Sequence, residues 1–341
     1  MTDRKIGFAV IGCGLMGARH VEILHATPGA KVVCVVDNNA ETAGRTASLC
    51  SGGAEVAETY EAALACPDVD AVVICLPSGQ HAAAGMQAAR AGKHVIMEKP
   101  IAVKSGEGQR LADECERSGV LCAVICQNRF SDAMQAVKTA FDRGDMGTPL
   151  LGRASVKWYR HDPYYAQSDW RGRIDGEGGG VLMNQAVHSL DQLIWFFGDP
   201  VEVKGMTHHS RAVLETEDVG LALLRFPGGA IATLEASTST FPGFEERLEI
   251  HTSLATAIVE RGRLIFWSHQ NDLPTPAPPD FPAATPGLSP KFALFQRQYF
   301  NILDAIHGRA PLVVTPHQAV SVVENTLAIY AEEKTHRGGD A

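Results

Sequence analysis

The sequence predicts two domains. Residues 1–126 read as an α/β domain with a doubly wound parallel sheet, and residues 127–341 as an α+β domain with a large, mostly antiparallel sheet. Three observations carry this. Up to Cys126, apolar runs of strand length alternate with amphipathic, helix-like stretches, the signature of a parallel sheet covered on both faces. After Gln127-Asn128-Arg129-Phe130 the texture changes to a series of β-type runs joined by short turns, as in antiparallel sheets. The third is length, since 341 residues are too many for one ordinary core.

The first strand, Ile6-Gly7-Phe8-Ala9-Val10-Ile11, runs directly into Gly12-Cys13-Gly14-Leu15-Met16-Gly17 and a helical stretch through Ala26. Strand, G-x-G-x-x-G turn and helix form the dinucleotide-binding fingerprint in its required context. Gly12 permits the tight turn, Gly14 lets a pyrophosphate approach the backbone, and Gly17 lets helix and strand close up, with Leu15 and Met16 completing the loop. The helix N-terminus offers free N–H groups and a positive dipole end to the phosphates. Lys31-Val32-Val33-Cys34-Val35-Val36 is the second strand, and Asp37 follows it, 20 residues beyond Gly17. An acid that binds the adenosine ribose hydroxyls belongs there. Because its carboxylate repels a 2′-phosphate, NAD is expected as cofactor rather than NADP.

A helix at Thr59–Cys66, a strand at Ala71–Leu76 and a helix at His81–Ala91 continue the alternation. Leu76, Pro77 and Ser78, at a strand's carboxyl end, are expected to line the cofactor crevice, with His81 beside them as a capping or packing residue on the cofactor side. A further strand, His94–Met97, delivers Glu98-Lys99-Pro100 to the same edge. Pro100 fixes its own φ and pushes Lys99 towards an extended conformation, which makes Lys99 a candidate for chemistry and places Glu98 at the cofactor. A helix at Gly106–Ser118 and a strand at Val120–Cys126 follow, with Gln127 assigned to the cofactor beyond it.

In the second domain a helix is expected at Asp132–Arg143, followed by strands at Leu151–Tyr159, Val201–Thr207, Val219–Phe226, Ala230–Ala236, Arg247–Thr252, Ala255–Glu260 and Leu264–Trp267. Pro227-Gly228-Gly229 and Arg261-Gly262-Arg263 read as hairpin turns. One stretch interrupts the β pattern: three glycines, Gly178 to Gly180, open what reads as one long apolar helix ending at Gly198. On such a helix Asn184 and His188 stack on one face, and Asp191 borders them. Pro274–Pro290, with seven prolines, reads as an extended surface loop, and Thr315–Arg337 as a closing helix. His208-His209 reads as a pair of strand residues rather than a metal site.

Composition limits the partners. A net charge of −9 argues against nucleic acid or an anionic membrane surface, leaving a small-molecule substrate. The eight cysteines lie singly at or before Cys126 without a CxxC pair, as buried reduced thiols do. With no signal-peptide pattern and no membrane-length apolar run, a cytoplasmic location is expected.

Taken together, Gly12 to Gly17, Gly92-Lys93-His94-Val95-Ile96-Met97-Glu98-Lys99-Pro100 and Gly178 to His188 resemble the Gfo/Idh/MocA family of glucose-fructose oxidoreductases and inositol dehydrogenases, over essentially the whole length. The resemblance implies an N-terminal Rossmann domain that binds NAD or NADP. It also implies a C-terminal domain whose open sheet forms a homodimer or homotetramer interface, and oxidation of a secondary alcohol of a sugar, cyclitol or related polyol. The family's Glu-Lys-Pro lysine matches Lys99 and its helix histidine matches His188, the two catalytic candidates. Four residues before that histidine the family usually has aspartate, and here Asn184 stands. An amide can hydrogen-bond a substrate but cannot take a proton, so Asn184 is assigned to substrate binding and the proton to His188, assisted by Lys99. Arg129, in the Gln127-Asn128-Arg129 pattern of some relatives, and Asp191 join the substrate set.

The segment from Trp158 to Arg171 is rich in aromatics and arginines. Tyr159 and Arg160 are expected at the substrate, and Trp170 and Arg171 at the cofactor, with Arg171 alternatively at an anionic substrate. Packing between domains or subunits is an equal reading of the whole cluster. Two rival functions stay open: an NAD-dependent glycosidase or lyase that oxidises a sugar transiently, and a non-catalytic NAD-binding regulator.

Overall fold

The computed structural model describes residues 4–166 and 170–337, and the chain divides into two compact units. Met1, Thr2 and Asp3, on which the expectation of no signal peptide partly rests, lie outside the described residues. Among the described residues no helix is long and apolar enough to cross a membrane.

The first unit comprises Met1–Ala102, Gly106–Gln127 and Phe281–Ala319. Its elements are β1 (Ile6–Ile11), α1 (Leu15–His25), β2 (Ala30–Val36), α2 (Ala40–Ala47), β3 (Glu55–Val56), α3 (Tyr60–Ala65), β4 (Ala71–Ile74), α4 (His81–Arg90), β5 (His94–Met97), α5 (Glu107–Arg117) and β6 (Cys122–Val124). The six strands are parallel, in the order β3-β2-β1-β4-β5-β6. Every residue of β1 and β4 is buried, as strands covered on both faces must be. The order reverses between β1 and β4, so the ligand crevice of such a sheet opens past their carboxyl ends.

The second unit comprises Val103–Ser105, Asn128–Asp280 and Val320–Ala341. It begins with α6 (Asp132–Asp142), capped by Ser131, whose hydroxyl accepts from Met134 N. Next come β7 (Pro149–Lys157) and the short helices α7 (Asp162–Tyr165), α8 (Ile174–Glu177) and α9 (Val181–Asn184), then α10 (Val187–Phe197). The strands β8 (Glu202–His208), β9 (Val219–Arg225), β10 (Ile231–Ser237), β11 (Arg247–Thr252), β12 (Ala255–Glu260) and β13 (Arg263–His269) complete a seven-stranded sheet in the order β13-β12-β11-β7-β10-β9-β8. All neighbours are antiparallel except β7 and β10. One face carries the core: Ala154, Val156, Ala222, Leu224, Ala232 and Leu234 cluster with Leu190, Leu193 and Ile194 of α10. Gly152 sits where a side chain would come within 2.9 Å of Phe197, so α10 presses onto β7 there. The strand registers put Leu151, Met206, Leu221, Leu223, Ile231 and Phe266 on the other face, and all six are exposed.

The single helix expected from Gly178 to Gly198 is two, α9 and α10. At the join Ala186 N reaches back five residues to Val181 O at 2.8 Å, a one-residue offset that separates the two helices. His208 ends β8 and His209 lies beyond it, both exposed.

The chain ends with α11 (Pro290–Ile306) and α12 (Pro316–Arg337). The proline-rich stretch before α11 contains no helix or strand. The boundary expected at 126/127 assigns everything beyond it to one domain, yet Phe281–Ala319 packs with the first unit. The reason is α11, whose Phe295, Tyr299, Ile302 and Leu303 are buried in one cluster with Phe8, Val10, Val21 and Leu24. Gln298 on the same helix accepts from Cys126 N at 3.1 Å and donates to Val124 O at 2.7 Å, satisfying backbone groups at the sheet's last strand.

Candidate active site

The glycine loop after β1 has the geometry its sequence predicts. Gly12 has φ +88°, and a side chain there would lie 2.7 Å from Cys75 O; one on Gly17 would lie 1.8 Å from Gly12 O. Only glycine fits either place. Gly14 is different, because a Cβ there would meet nothing within 4 Å. It is exposed and caps α1 with no side-chain hydrogen bond, leaving N–H groups of the first turn for an anion. Leu15 is also exposed, and Met16 partly so. Asp37 joins the loop to β2: its carboxylate accepts from Cys13 N at 2.7 Å and from Asn39 N at 2.9 Å. An NAD pyrophosphate fits this open, uncapped turn.

Across the switch point, Leu76 and Pro77 are half-buried and Ser78 is buried. His81 does not face a cofactor. It is 1% exposed, with Nδ1 2.7 Å from Pro100 O and Nε2 2.8 Å from Leu76 O, so it ties the loop after β4 to the loop after β5. Burial lowers its pKa, against the pull of the two carbonyls and Glu98.

Lys99 is half-buried, and its backbone N donates to Glu98 Oε2 at 3.1 Å. Glu98, expected at the cofactor, turns inward instead: it is 6% exposed, and its Oε1 lies 2.8 Å from His20 Nε2. His20 Nδ1 in turn lies 2.7 Å from the Tyr299 hydroxyl. One neutral tautomer satisfies both bonds, Nε2–H donating to the carboxylate and Nδ1 accepting from the hydroxyl. This buried Tyr299–His20–Glu98 chain, which fixes the residue before Lys99, escaped the sequence reading because its members lie 78 and 279 residues apart. Gln127 is buried beyond β6.

In the second unit the three glycines set the site. Side chains on Gly178, Gly179 and Gly180 would lie 2.3 Å from Val103 Cβ, 2.2 Å from the Tyr330 hydroxyl and 1.7 Å from Glu217 O. Glu217, 4% exposed, accepts from Gly180 N at 2.8 Å, Leu182 N at 2.9 Å and the Tyr330 hydroxyl at 2.8 Å, capping α9 from a distant segment. From 181 to 190, eight of ten residues are buried, and the two that are not are Asn184 and His188. The helix break therefore leaves them as the open positions of this stretch.

Arg129 and Asp191, expected at the substrate, are not available to one. They are 0% and 2% exposed and form a two-pronged pair, Nε to Oδ2 at 2.8 Å and Nη2 to Oδ1 at 2.6 Å. The guanidinium also lies 5.0 Å from the Trp195 ring. The pair anchors α10 to the turn before α6. Tyr159 packs edge-on against His161 and Phe241, while Arg160, Trp170 and Arg171 are half-buried around Tyr164.

A carboxylate does stand beside Asn184. Buried Glu177 accepts from the Asn184 side-chain amide and, through Oε2, from Gly172 N at 2.6 Å. Sequence alone hid this, because Gly178 to Gly180 interrupt any helical spacing between the two residues.

The N-terminal NAD-binding Rossmann-fold model of the Gfo/Idh/MocA oxidoreductase family matches residues 6–126, and the family's C-terminal domain model matches residues 134–258. The chain belongs to the Gfo/Idh/MocA oxidoreductase family. An inositol 2-dehydrogenase of Rubrobacter xylanophilus is 30% identical over 273 residues, covering 76% of this chain and 75% of that one. An uncharacterized oxidoreductase, YrbE, of Bacillus subtilis is 28% identical over 266 residues, with shares of 76% and 75%. Among solved structures, the WlbA dehydrogenase of Bordetella pertussis, crystallised with NADH and UDP-GlcNAcA, superposes with a TM-score of 0.87 at 27% identity, covering 98% of each chain. As a Gfo/Idh/MocA member the protein carries an NAD-binding Rossmann domain and is of oxidoreductase lineage.

Asn184→Asp, which brings the sequence nearer the family's usual pattern, is expected to lose about 1–3 kcal/mol of stability at pH 7, because the amide donor to Glu177 is replaced by a second carboxylate. Urea midpoints at pH 7 and pH 5 check this, the deficit shrinking at the lower pH. Separately, burial pushes the Glu217 carboxyl up from 4.5 to about 6 despite its three donors. An acid whose pKa is raised on folding favours the fold most fully below its unfolded pKa. Glu217 is therefore expected to withdraw about 2 kcal/mol of stability as pH rises from 4.5 through 6. Denaturant midpoints across that window, compared with those of Glu217→Gln, measure the slope.

Proposed function

We propose that the protein oxidises a secondary alcohol of a sugar, cyclitol or related polyol with NAD as acceptor, or catalyses the reverse reduction. The observation that carries the reading is the pair Asn184 and His188, the two open positions in an otherwise buried stretch of a Gfo/Idh/MocA chain. Relatives named as inositol 2-dehydrogenase and D-apiose dehydrogenase support the substrate class. Asp37, with its carboxylate at the end of β2, supports NAD over NADP.

NAD, when bound, accepts the hydride. The chain's own task is the proton. Removing it from the substrate hydroxyl builds the negative charge on oxygen that drives the carbon–hydrogen bond to break. His188 accepts that proton, imidazole being the side chain suited to the task near neutrality. The Lys99 ammonium stabilises the developing alkoxide. Asn184 binds a substrate hydroxyl, with its amide oriented by Glu177. Glu98 and His81 hold the backbone around Lys99.

The exposed apolar face of the second sheet supports a homodimer or homotetramer built through it. The single spacing of the eight cysteines along the sequence, with no CxxC pair, supports a reducing, cytoplasmic location. The enzymatic reading is tested by a screen of sugars, inositols and sugar acids with NAD and with NADP, following absorbance of the reduced cofactor. Turnover with NAD on at least one polyol supports it, and tight NAD binding without turnover on any would replace it with a regulatory role.

A further inference from the structure

Two cations, Arg160 and Arg171, lie between β7 and α8 without a carboxylate partner among the described residues. The Arg160 guanidinium lies 4.8 Å from the Trp158 ring and 5.0 Å from the Tyr164 ring. The Arg171 guanidinium lies 4.5 Å from the same Tyr164 ring and 5.2 Å from Trp170. One tyrosine ring therefore serves two positive charges. Nearby cations are treated differently. Arg211 lies 3.4 Å from an oxygen of Asp162 and 3.8 Å from one of Asp218, Arg173 is 2.9 Å from Glu215, and Lys157 is 2.7 Å from Glu235. Among the described residues neither Arg160 nor Arg171 pairs with a carboxylate, and Arg160 Nε is a buried donor with no hydrogen-bond partner.

In a chain with a net charge of −9, leaving two guanidinium groups together without a counter-ion is costly unless something else supplies one. Aromatic faces offset part of the repulsion. They offer no acceptor oxygen for the guanidinium N–H groups, which match carboxylate and phosphate oxygens in pairs. The cluster is also wired to Asn184. Arg171 donates to the Tyr164 hydroxyl, which lies 3.4 Å from Gln185 Nε2, next to Asn184. Gly172, next to Arg171, donates to the Glu177 carboxylate that accepts from the Asn184 amide.

We propose that Arg160 and Arg171 bind a carboxylate or phosphate group of the substrate, so that the alcohol oxidised belongs to a sugar acid or sugar phosphate rather than to a neutral polyol. This rests on the oxidoreductase reading above and narrows its substrate class. Arg211 takes no part, because its charge is already committed and its Nη1 donates to the Arg160 carbonyl, holding the segment in place.

The test measures kcat/KM with NAD for matched sets: glucose, glucuronate and glucose 6-phosphate; galactose, galacturonate and galactose 6-phosphate. The expected result is that an anionic member exceeds its neutral counterpart by about tenfold or more, uronate and phosphate arms telling the two anions apart. R160M and R171M each cut that anion-to-neutral ratio by about tenfold, mainly through KM. R173M, which removes an exposed cation already paired with Glu215, leaves the ratio and the basal rate unchanged. Neutral sugars turned over as well as or better than their anions, or a ratio that survives both arginine changes, overturns the arginine proposal alone. Absence of turnover from these sets and from every polyol of the screen above, with NAD bound, defeats the oxidoreductase reading and this proposal with it; turnover of cyclitols or other neutral polyols alone overturns the arginine proposal and leaves that reading standing.

Discussion

Lys99→Ala and His188→Ala are each expected to slow hydride transfer by about 10² or more, with NAD still bound. The expectation follows from the role proposed for each side chain and from what stays behind when it is cut. Lys99 is placed by its backbone: Glu98 holds its N–H, the Tyr299–His20 chain holds Glu98, and His81 holds the Pro100 carbonyl. Truncating the lysine therefore leaves the loop intact while removing the cation. The open glycine turn at Gly14 and the Asp37 carboxylate, proposed to hold the nucleotide, are untouched. Lys99→Arg should restore little, since a planar guanidinium neither fits a point-charge role nor gives up a proton. His188→Ala removes the proposed proton acceptor, the second residue of α10, beyond the helix break. Single-turnover kinetics with a fluorescence titration of NADH separate chemistry from cofactor binding. Wild-type turnover by either variant would refute the assignment.

Arg129→Met is the second large effect, expected in stability rather than in substrate affinity. The change strands the Asp191 carboxylate, 2% exposed, without its partner. Breaking a buried pair in this way costs about 3–5 kcal/mol. Replacing both partners with apolar residues, Arg129→Met with Asp191→Leu, should recover most of the loss, because the desolvation cost of both charges disappears together. Denaturant midpoints of the two singles and the double close the cycle. A single variant of normal stability with a raised KM would instead return Arg129 and Asp191 to the substrate.

The first unit was legible in the sequence because its signals are local. Apolar runs flanked by Gly12 to Gly17 and by Lys99-Pro100 need no distant partner to be read, and β1, β4 and β5 lie within them. The strands of the second sheet were legible for the same reason, through alternation and glycine turns. What escaped depends on contacts far along the chain. Helix α11 has Phe295, Tyr299, Ile302 and Leu303 at helical spacing, but only folding shows that they bury against β1 and α1. Glu217 reaches Gly180 across 37 residues and Arg129 reaches Asp191 across 62. The second of these contacts turns Arg129 and Asp191, assigned from sequence to the substrate, into a support for α10. The break between α9 and α10 was hidden too, since Gln185 and Ala186 both keep right-handed helical dihedrals.

The most direct test of the central claim is a mass balance. The protein is incubated with NAD and its best polyol from the screen, and NADH and the oxidised product are quantified together over one time course. The account predicts ketone and NADH in equal amounts, both abolished in His188→Ala. Substrate cleavage or rearrangement without net NADH would contradict it and place the protein among enzymes that oxidise a sugar only in passing.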